Sequence, residues 1–208
     1  PPRRMTARRR LLPLLAALTA GAGLLVPGGA HAQSGLSTKA LYENGPSGRY
    51  LMGGSWFFRL DPGFNGHTQG WQKQTSTEGW QATTVPNAWN AGDDSETSFA
   101  GGVGWYRKDF KLPSSSRRYD WVVRFESVNY RSKIYLNGSL VGQNRGAYLP
   151  FEIRLPASRL KRSGTNRLVV RVDSRRFATD FPPAGLSAQG TQLGGWWNYG
   201  GLLRAVYL

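Results

Sequence analysis

Apolar and polar residues alternate in short runs along most of this chain, with a period of two rather than 3.6. Trp121, Val123 and Phe125 alternate with Val122, Arg124 and Glu126, and Leu168, Val170 and Val172 with Val169, Arg171 and Asp173. That period sends successive side chains to opposite faces of an extended backbone, so both runs predict strands with one apolar face. Trp56-Phe57-Phe58-Arg59-Leu60 and Trp105-Tyr106-Arg107-Lys108-Asp109-Phe110 predict two more, the second closed by Leu112-Pro113. Ile134 and Leu136 lead into Asn137-Gly138, with Leu140 and Val141 beyond. Asn-Gly between apolar runs predicts a hairpin, because both residues tolerate the positive φ of a type I′ turn. Leu203, Ala205 and Tyr207 against Arg204, Val206 and Leu208 predict a last strand. No window after Gln33 carries a helical period, so the pattern predicts an all-β, antiparallel sandwich.

The first residues follow another pattern. Met5-Thr6-Ala7-Arg8-Arg9-Arg10 is followed by an apolar run from Leu11 to Val26 and then by Ala30-His31-Ala32. Basic, apolar and small-x-small segments in this order predict a secretory signal over residues 1–32, with Pro1 to Arg4 as upstream residues. The expected location is therefore secreted or periplasmic, by the general or the twin-arginine route. A membrane anchor is not expected, since Pro13, Gly21, Gly23 and Pro27 interrupt a run already short of a bilayer span. Residues 33–48 are polar and glycine-rich and predict a flexible lead-in. Residues 49–208 hold the strands and predict one domain.

Charge and cysteine content narrow the chemistry. The formal net charge is +15, but five arginines lie in the first ten residues. Without them 22 basic side chains face 12 acidic ones, an excess of ten scattered over several strands. A nucleic-acid partner calls for clustering on one element, so these charges are expected to be solvated strand faces, with no nucleic acid bound. The absence of cysteine removes disulfides, a lipid-anchored cysteine and thiolate metal sites. No His/Cys cluster or calcium loop is visible, so neither a metal nor another cofactor is expected.

Several motifs recur in a fixed order: Trp56-x-Phe58-x-x-Asp61-Pro62, Trp80, Val85-Pro86-x-x-Trp89-Asn90, Gly104-Trp105-Tyr106-Arg107-Lys108-x-Phe110, Arg124-Phe125-Glu126-x-Val128-Asn129-Tyr130, Tyr135-Leu136-Asn137-Gly138, Gly146-x-Tyr148-x-Pro150-Phe151, Asn166-x-Leu168-Val169-Val170, and Asn198-Tyr199-Gly200-Gly201. The series resembles the N-terminal sugar-binding domain of glycoside hydrolase family 2, which comprises β-galactosidases, β-glucuronidases and β-mannosidases. The resemblance implies a jelly-roll, galactose-binding-like sandwich. It also implies an immunoglobulin-like domain and a (β/α)₈ barrel as partners in the same polypeptide. The barrel supplies two glutamates that hydrolyse a β-glycoside with retention, and this chain does not contain it. The implied role is a carbohydrate-binding or scaffolding module of an exported glycosidase; the alternative is a free-standing secreted carbohydrate-binding module without catalysis.

No catalytic residue is assigned. Asp93, Asp94 and Glu96 fall in a turn-like stretch, Glu126 and Glu152 on strands, and His67 in a loop without a supporting motif. Trp56, Trp105 and Trp121 are expected in the core, and Trp80 and Trp89 as staples of a long loop. Trp196, Trp197, Asn198 and Tyr199 lie between glycines outside regular alternation; together with Asn90 they are the candidate sugar-binding or active-site-lining residues. Aromatic faces pack against sugar C–H groups while amides meet hydroxyls. The resemblance places an aspartate three residues ahead of Asn198, where this chain has Gly195, so neither galactoside nor glucuronide specificity is carried over.

Overall fold

Strands form where the alternation is strongest, and the aromatic and β-branched residues in them divide between two packed sheets. The computed structural model describes residues 48–112, 119–177, 179–181, 185–186, 192–193 and 197–208. The larger sheet contains β1 (Gly54–Leu60), β2 (Gln81–Val85), β3 (Val103–Phe110), β6 (Arg131–Leu136), β7 (Ser139–Arg145) and β9 (Asn166–Asp173). Its order is β2-β1-β3-β9-β6-β7, antiparallel throughout. Opposite it lie β4 (Trp121–Phe125), β8 (Phe151–Leu155) and β13 (Val206–Tyr207), in the order β13-β4-β8. Residues 50–52 extend that sheet beside β13, through Tyr50 N–H to Leu208 O at 2.7 Å and Met52 N–H to Val206 O at 2.8 Å. Two-stranded pairs join β5 (Val128–Asn129) to β12 (Gly201–Leu202) and β10 (Gly185–Leu186) to β11 (Gln192–Leu193). The described residues, all from Gly48 onward, form an antiparallel jelly-roll sandwich.

The period of two explains how the larger sheet is covered on both faces. Trp56, Tyr106, Ile134, Leu168, Val170 and Val172 point into the main core, where they meet Val123, Phe125, Leu155, Val206 and Leu208 of the opposite sheet. Their chain neighbours Phe57, Trp105, Tyr135 and Val169 point the other way and form a second apolar cluster with Trp71 and Trp80. Those two tryptophans belong to the long segment between β1 and β2. Asp61 pins its start: one carboxylate oxygen accepts from Asn65 N–H at 2.9 Å, the other from Gly66 N–H at 3.0 Å and from the Trp105 indole at 2.9 Å. Trp80 holds its end by donating to the Gln74 side chain at 3.0 Å.

The Asn137-Gly138 turn has φ values of 50° and 89°, as a type I′ hairpin requires. Three features depart from the sequence pattern. A helix α1 (Glu96–Ala100) buries Phe99 and is capped by Ser95, whose hydroxyl accepts from Ser98 N–H at 3.2 Å; five residues are too few to display a period. The last strand is split into β12 and β13, with Leu202, Val206 and Leu208 inward. Its partner breaks between β4 and β5, where Ser127 turns its hydroxyl onto the Ala147 carbonyl at 2.6 Å.

The third departure concerns charge. Arg107, Lys108 and Arg176 are buried rather than solvated. Arg107 reaches beneath the β1–β2 segment and donates to the carbonyls of Gln74, Thr75 and Ser76, while Asp109 takes Nε at 3.0 Å and a terminal nitrogen at 2.7 Å. Lys108 donates to Ser55 O at 2.7 Å, and burial holds its ammonium below the usual lysine range. Alternation alone does not distinguish an arginine facing water from one facing a ring of carbonyls.

Candidate functional site

The candidate residues meet where β5, β12 and the end of β9 converge with the loop after β2. Asn90 is buried and all of its amide is engaged: Nδ2 donates to Ser98 O and Ser98 Oγ at 3.1 Å and to Asn198 O at 3.2 Å, while Oδ1 accepts from Gly200 N–H at 2.9 Å. Asn198 has no exposed surface; it donates to the Ser174 carbonyl and accepts from Asn129 Nδ2 at 3.2 Å. Asn129 also donates to the Tyr199 carbonyl and accepts from Arg176 at 2.8 Å. Three amides and one guanidinium thus fix the backbone from Asn198 to Gly200 from within. Unpaired, each buried amide would cost about 1–3 kcal/mol, so a completed network confines the segment to one conformation.

That network sets what is left facing outward. Tyr199 is 45% exposed and Trp197 half-buried, its ring edge-on to Phe99 at 5.5 Å. Phe177 and Phe181, 56% and 88% exposed, lie on the chain that follows β9. Beneath the segment Trp89 stacks on Phe58 at 5.7 Å and donates its backbone N–H to Gly200 O at 2.9 Å. A Cβ at Gly200 would stand 2.1 Å from the Trp89 ring, and one at Gly201 2.4 Å from the Asn87 carbonyl. The paired glycines are therefore a close backbone approach.

Electrostatics beside the platform come from arginines locked by buried carboxylates. Arg131 and Arg145, opposite each other on β6 and β7, both bond Asp180, whose carboxylate is fully buried and also accepts from Phe177 N–H at 2.9 Å. Burial pushes the Asp180 carboxyl up, but the Phe177 N–H and the two guanidinium groups outweigh it and hold the group below its ordinary value. Arg131 and Arg176 stand over the Tyr130 ring at 5.1 and 4.7 Å. Asp173 holds Arg175 through contacts of 2.9 and 2.7 Å.

Of the five candidates, the structure brings together Asn90, Trp197, Asn198 and Tyr199. Trp196 lies outside the described residues, as does Gly195. Asn90 and Asn198 direct their amides inward, so the outward chemistry of the described platform is aromatic. Asn129, Ser174 and Arg176 complete it and were not singled out from the sequence. The signal for Asn129 was its place in Val128-Asn129-Tyr130; Arg176 was concealed within a pair of arginines. Glu126 and Glu152 both bind Arg124, at 2.6 and 3.0 Å, and Asp93 accepts from Ser95 N–H at 3.0 Å. Among the described residues no three His, Asp or Glu side chains converge as a metal would require.

The family model for "Glycosyl hydrolases family 2, sugar binding domain" matches residues 50–208. The chain belongs to glycosyl hydrolase family 2. Within the family it is 35% identical to a β-galactosidase of Thermoanaerobacter pseudethanolicus, over 51% of this chain and 13% of that protein. It is 32% identical to a β-glucuronidase of Formosa agariphila, over 55% of this chain and 11% of that one. A solved β-glucuronidase from Ruminococcus gnavus shares the fold, with a TM-score of 0.68 at 24% identity, over 83% of this chain and 30% of that one. The chain thus matches less than a third of each of these family 2 proteins.

Proposed function

We propose that residues 49–208 act as the front, sugar-binding and scaffolding module of an exported family 2 β-glycosidase that works with retention of configuration. In this reading the Asn198–Gly200 platform lines the entrance of an active site whose two carboxylates belong to a barrel domain. The observation that carries it is the inward locking of Asn90, Asn129 and Asn198, which holds Tyr199 and Trp197 outward on a rigid backbone. A surface ordered at this cost in buried polar groups suits contact with a substrate or a catalytic domain. Relatives named β-galactosidase and β-glucuronidase support a β-glycoside as substrate class; Gly195 leaves the particular sugar unassigned.

The test begins at the gene. Reading beyond the codon for Leu208 and expressing the whole frame is expected to yield an enzyme that hydrolyses an aryl β-glycoside, with the first-formed product anomer, followed by NMR, matching the substrate. The 208-residue chain by itself is expected to be inactive. Tyr199→Ala in the long form is expected to lower kcat/KM roughly tenfold, the scale of one lost packing contact, without shifting the melting temperature. A frame that ends after Leu208, an inverted product, or an unaffected Tyr199 variant would each overturn part of the reading. Fusion of residues 1–32 to a reporter tests export separately.

A further inference from the structure

In the segment between β1 and β2, residues 74–76 turn their carbonyl oxygens inward. Those of Gln74, Thr75 and Ser76 accept from Arg107 beneath, and Thr75 O also from Arg167 at 3.4 Å. The peptide bonds here are trans, and across a trans peptide the N–H points opposite to the C=O. The N–H groups of Thr75, Ser76 and Thr77 are therefore aimed away from Arg107, and none of them has an acceptor among the described residues. Successive backbone N–H groups directed to one side form a concavity suited to anions. Ser76 Oγ accepts from Gln74 Nε2 at 3.1 Å, so its hydroxyl proton remains to be donated. Thr75 and Ser76 line a hollow of about 510 Å³ together with Arg59, Trp71, Lys73 and Gln74, within the size range of small-ligand sites.

Two cations stand at the same hollow. Arg59 lies 3.7 Å over the Trp71 ring, and Gly79 closes on it: a Cβ there would fall 2.9 Å from a terminal guanidinium nitrogen. The guanidinium is thus fixed by packing, while it forms no hydrogen bond or ion pair with any described residue. Lys73 is exposed and braced by the Asn137-Gly138 turn, where a Cβ at Gly138 would fall 3.2 Å from its Cγ. Its ammonium likewise has no partner among the described residues, and none of the described residues that line the hollow carries a carboxylate. Elsewhere on the same sheet the arginines are matched, Arg107 by Asp109 and both Arg171 and Arg175 by Asp173. Two unmatched cations beside outward N–H groups call for an anion from outside the chain. A phosphate monoester brings about −1.5 to −2 charge near pH 7 and three strong acceptor oxygens, which suits two cations and several donors. A carboxylate brings half that charge and only two oxygens.

We propose that this hollow binds a phosphate group, as inorganic phosphate or as the terminal group of a soluble phosphomonoester. Arg59 and Lys73 neutralise it, and the Thr75 and Ser76 N–H groups and the Ser76 hydroxyl donate to its oxygens. Arg107, on the far side of the segment, holds the carbonyls away from it. The inference is independent of the glycosidase reading, since it invokes neither the platform nor a barrel.

Titration of the isotope-labelled 208-residue chain with inorganic phosphate, followed by NMR at an ionic strength held constant with potassium chloride, tests it. The Thr75 and Ser76 amide resonances are expected to move and to saturate together. Lys73→Gln should weaken binding about fivefold to tenfold, and Arg59→Gln at least as much. The lysine variant, at an exposed position, serves as the test if the arginine variant does not fold. Arg204→Gln removes the same charge from an exposed position between β12 and β13 and should leave the affinity unchanged. Glycerol phosphate in place of inorganic phosphate separates the two sources: tighter binding of the ester assigns a phosphomonoester, and tighter binding of the free ion assigns phosphate itself. No saturable movement of the two amides with either compound, or an equal loss of affinity in Arg204→Gln and Lys73→Gln, would overturn the proposal.

Discussion

Asn90 and Gly200 show how one residue determines the conformation of a surface that it does not itself present. The Asn90 side chain ties α1, the Asn198 carbonyl and the Gly200 N–H together, and the network has no solvent substitute because the amide is buried. Asn90→Ala removes four contacts at once and is expected to destabilise the fold by about 2–4 kcal/mol in urea denaturation; a loss under 0.5 kcal/mol would mean that water replaces the amide. Gly200→Ala tests close approach instead of hydrogen bonding. Since its Cβ would fall 2.1 Å from the Trp89 ring, the ring must shift, and about 1–3 kcal/mol of overpacking is expected. A change in near-ultraviolet circular dichroism should accompany it, because Trp89 stacks on Phe58.

At the level of elements, the segment between β1 and β2 has no strand period and no sheet of its own. Two anchors order it: Asp61 at its start, and Arg107 projecting from β3 into the carbonyls of residues 74–76. The apolar face of Trp71, Trp80 and Trp105 depends on that coverage. Arg107→Met keeps length and apolar packing but removes the guanidinium from the carbonyls of Gln74, Thr75 and Ser76, leaving Thr75 O only the longer contact from Arg167 at 3.4 Å. Trypsin cleavage after the exposed Lys73 is expected to accelerate roughly tenfold through local opening, while amide protection in β6 and β9 persists. Equal loss of protection in those strands would show that the segment unfolds only with the sheet. The strands themselves were legible from alternation, whereas of this cover only Trp80 was legible, as a staple of a long loop.

For the whole molecule, the excess of basic residues is moderated by buried and partly buried carboxylates that pair arginines across strands. Asp180 joins β6, β7 and the chain after β9. Its carboxyl lies below the ordinary carboxylate value in the folded chain. Such a group stabilises the fold at pH values above its unfolded pKa and loses that contribution as pH falls through the folded one. Asp180→Asn is therefore expected to lower the stability by about 2–4 kcal/mol near pH 7. The gap to the parent chain should close below pH 3.8, the ordinary aspartate value. A gap of constant size from pH 7 to pH 3 would assign the effect to packing and not to charge.

The sequence by itself determined the fold class, the principal strands, the Asn-Gly hairpin and the family, because a period of two and an ordered series of motifs are local properties of the chain. It also offered Asn90, Trp196, Trp197, Asn198 and Tyr199 as candidates, of which the structure brings Asn90, Trp197, Asn198 and Tyr199 close together. Only the tertiary structure decided which way each faces: Asn90 and Asn198 inward, Tyr199 outward, Arg107 and Arg176 beneath loops instead of in water. Those outcomes depend on partners up to 110 positions apart, as between Asn90 and Gly200, and no local period records where a distant carbonyl will lie.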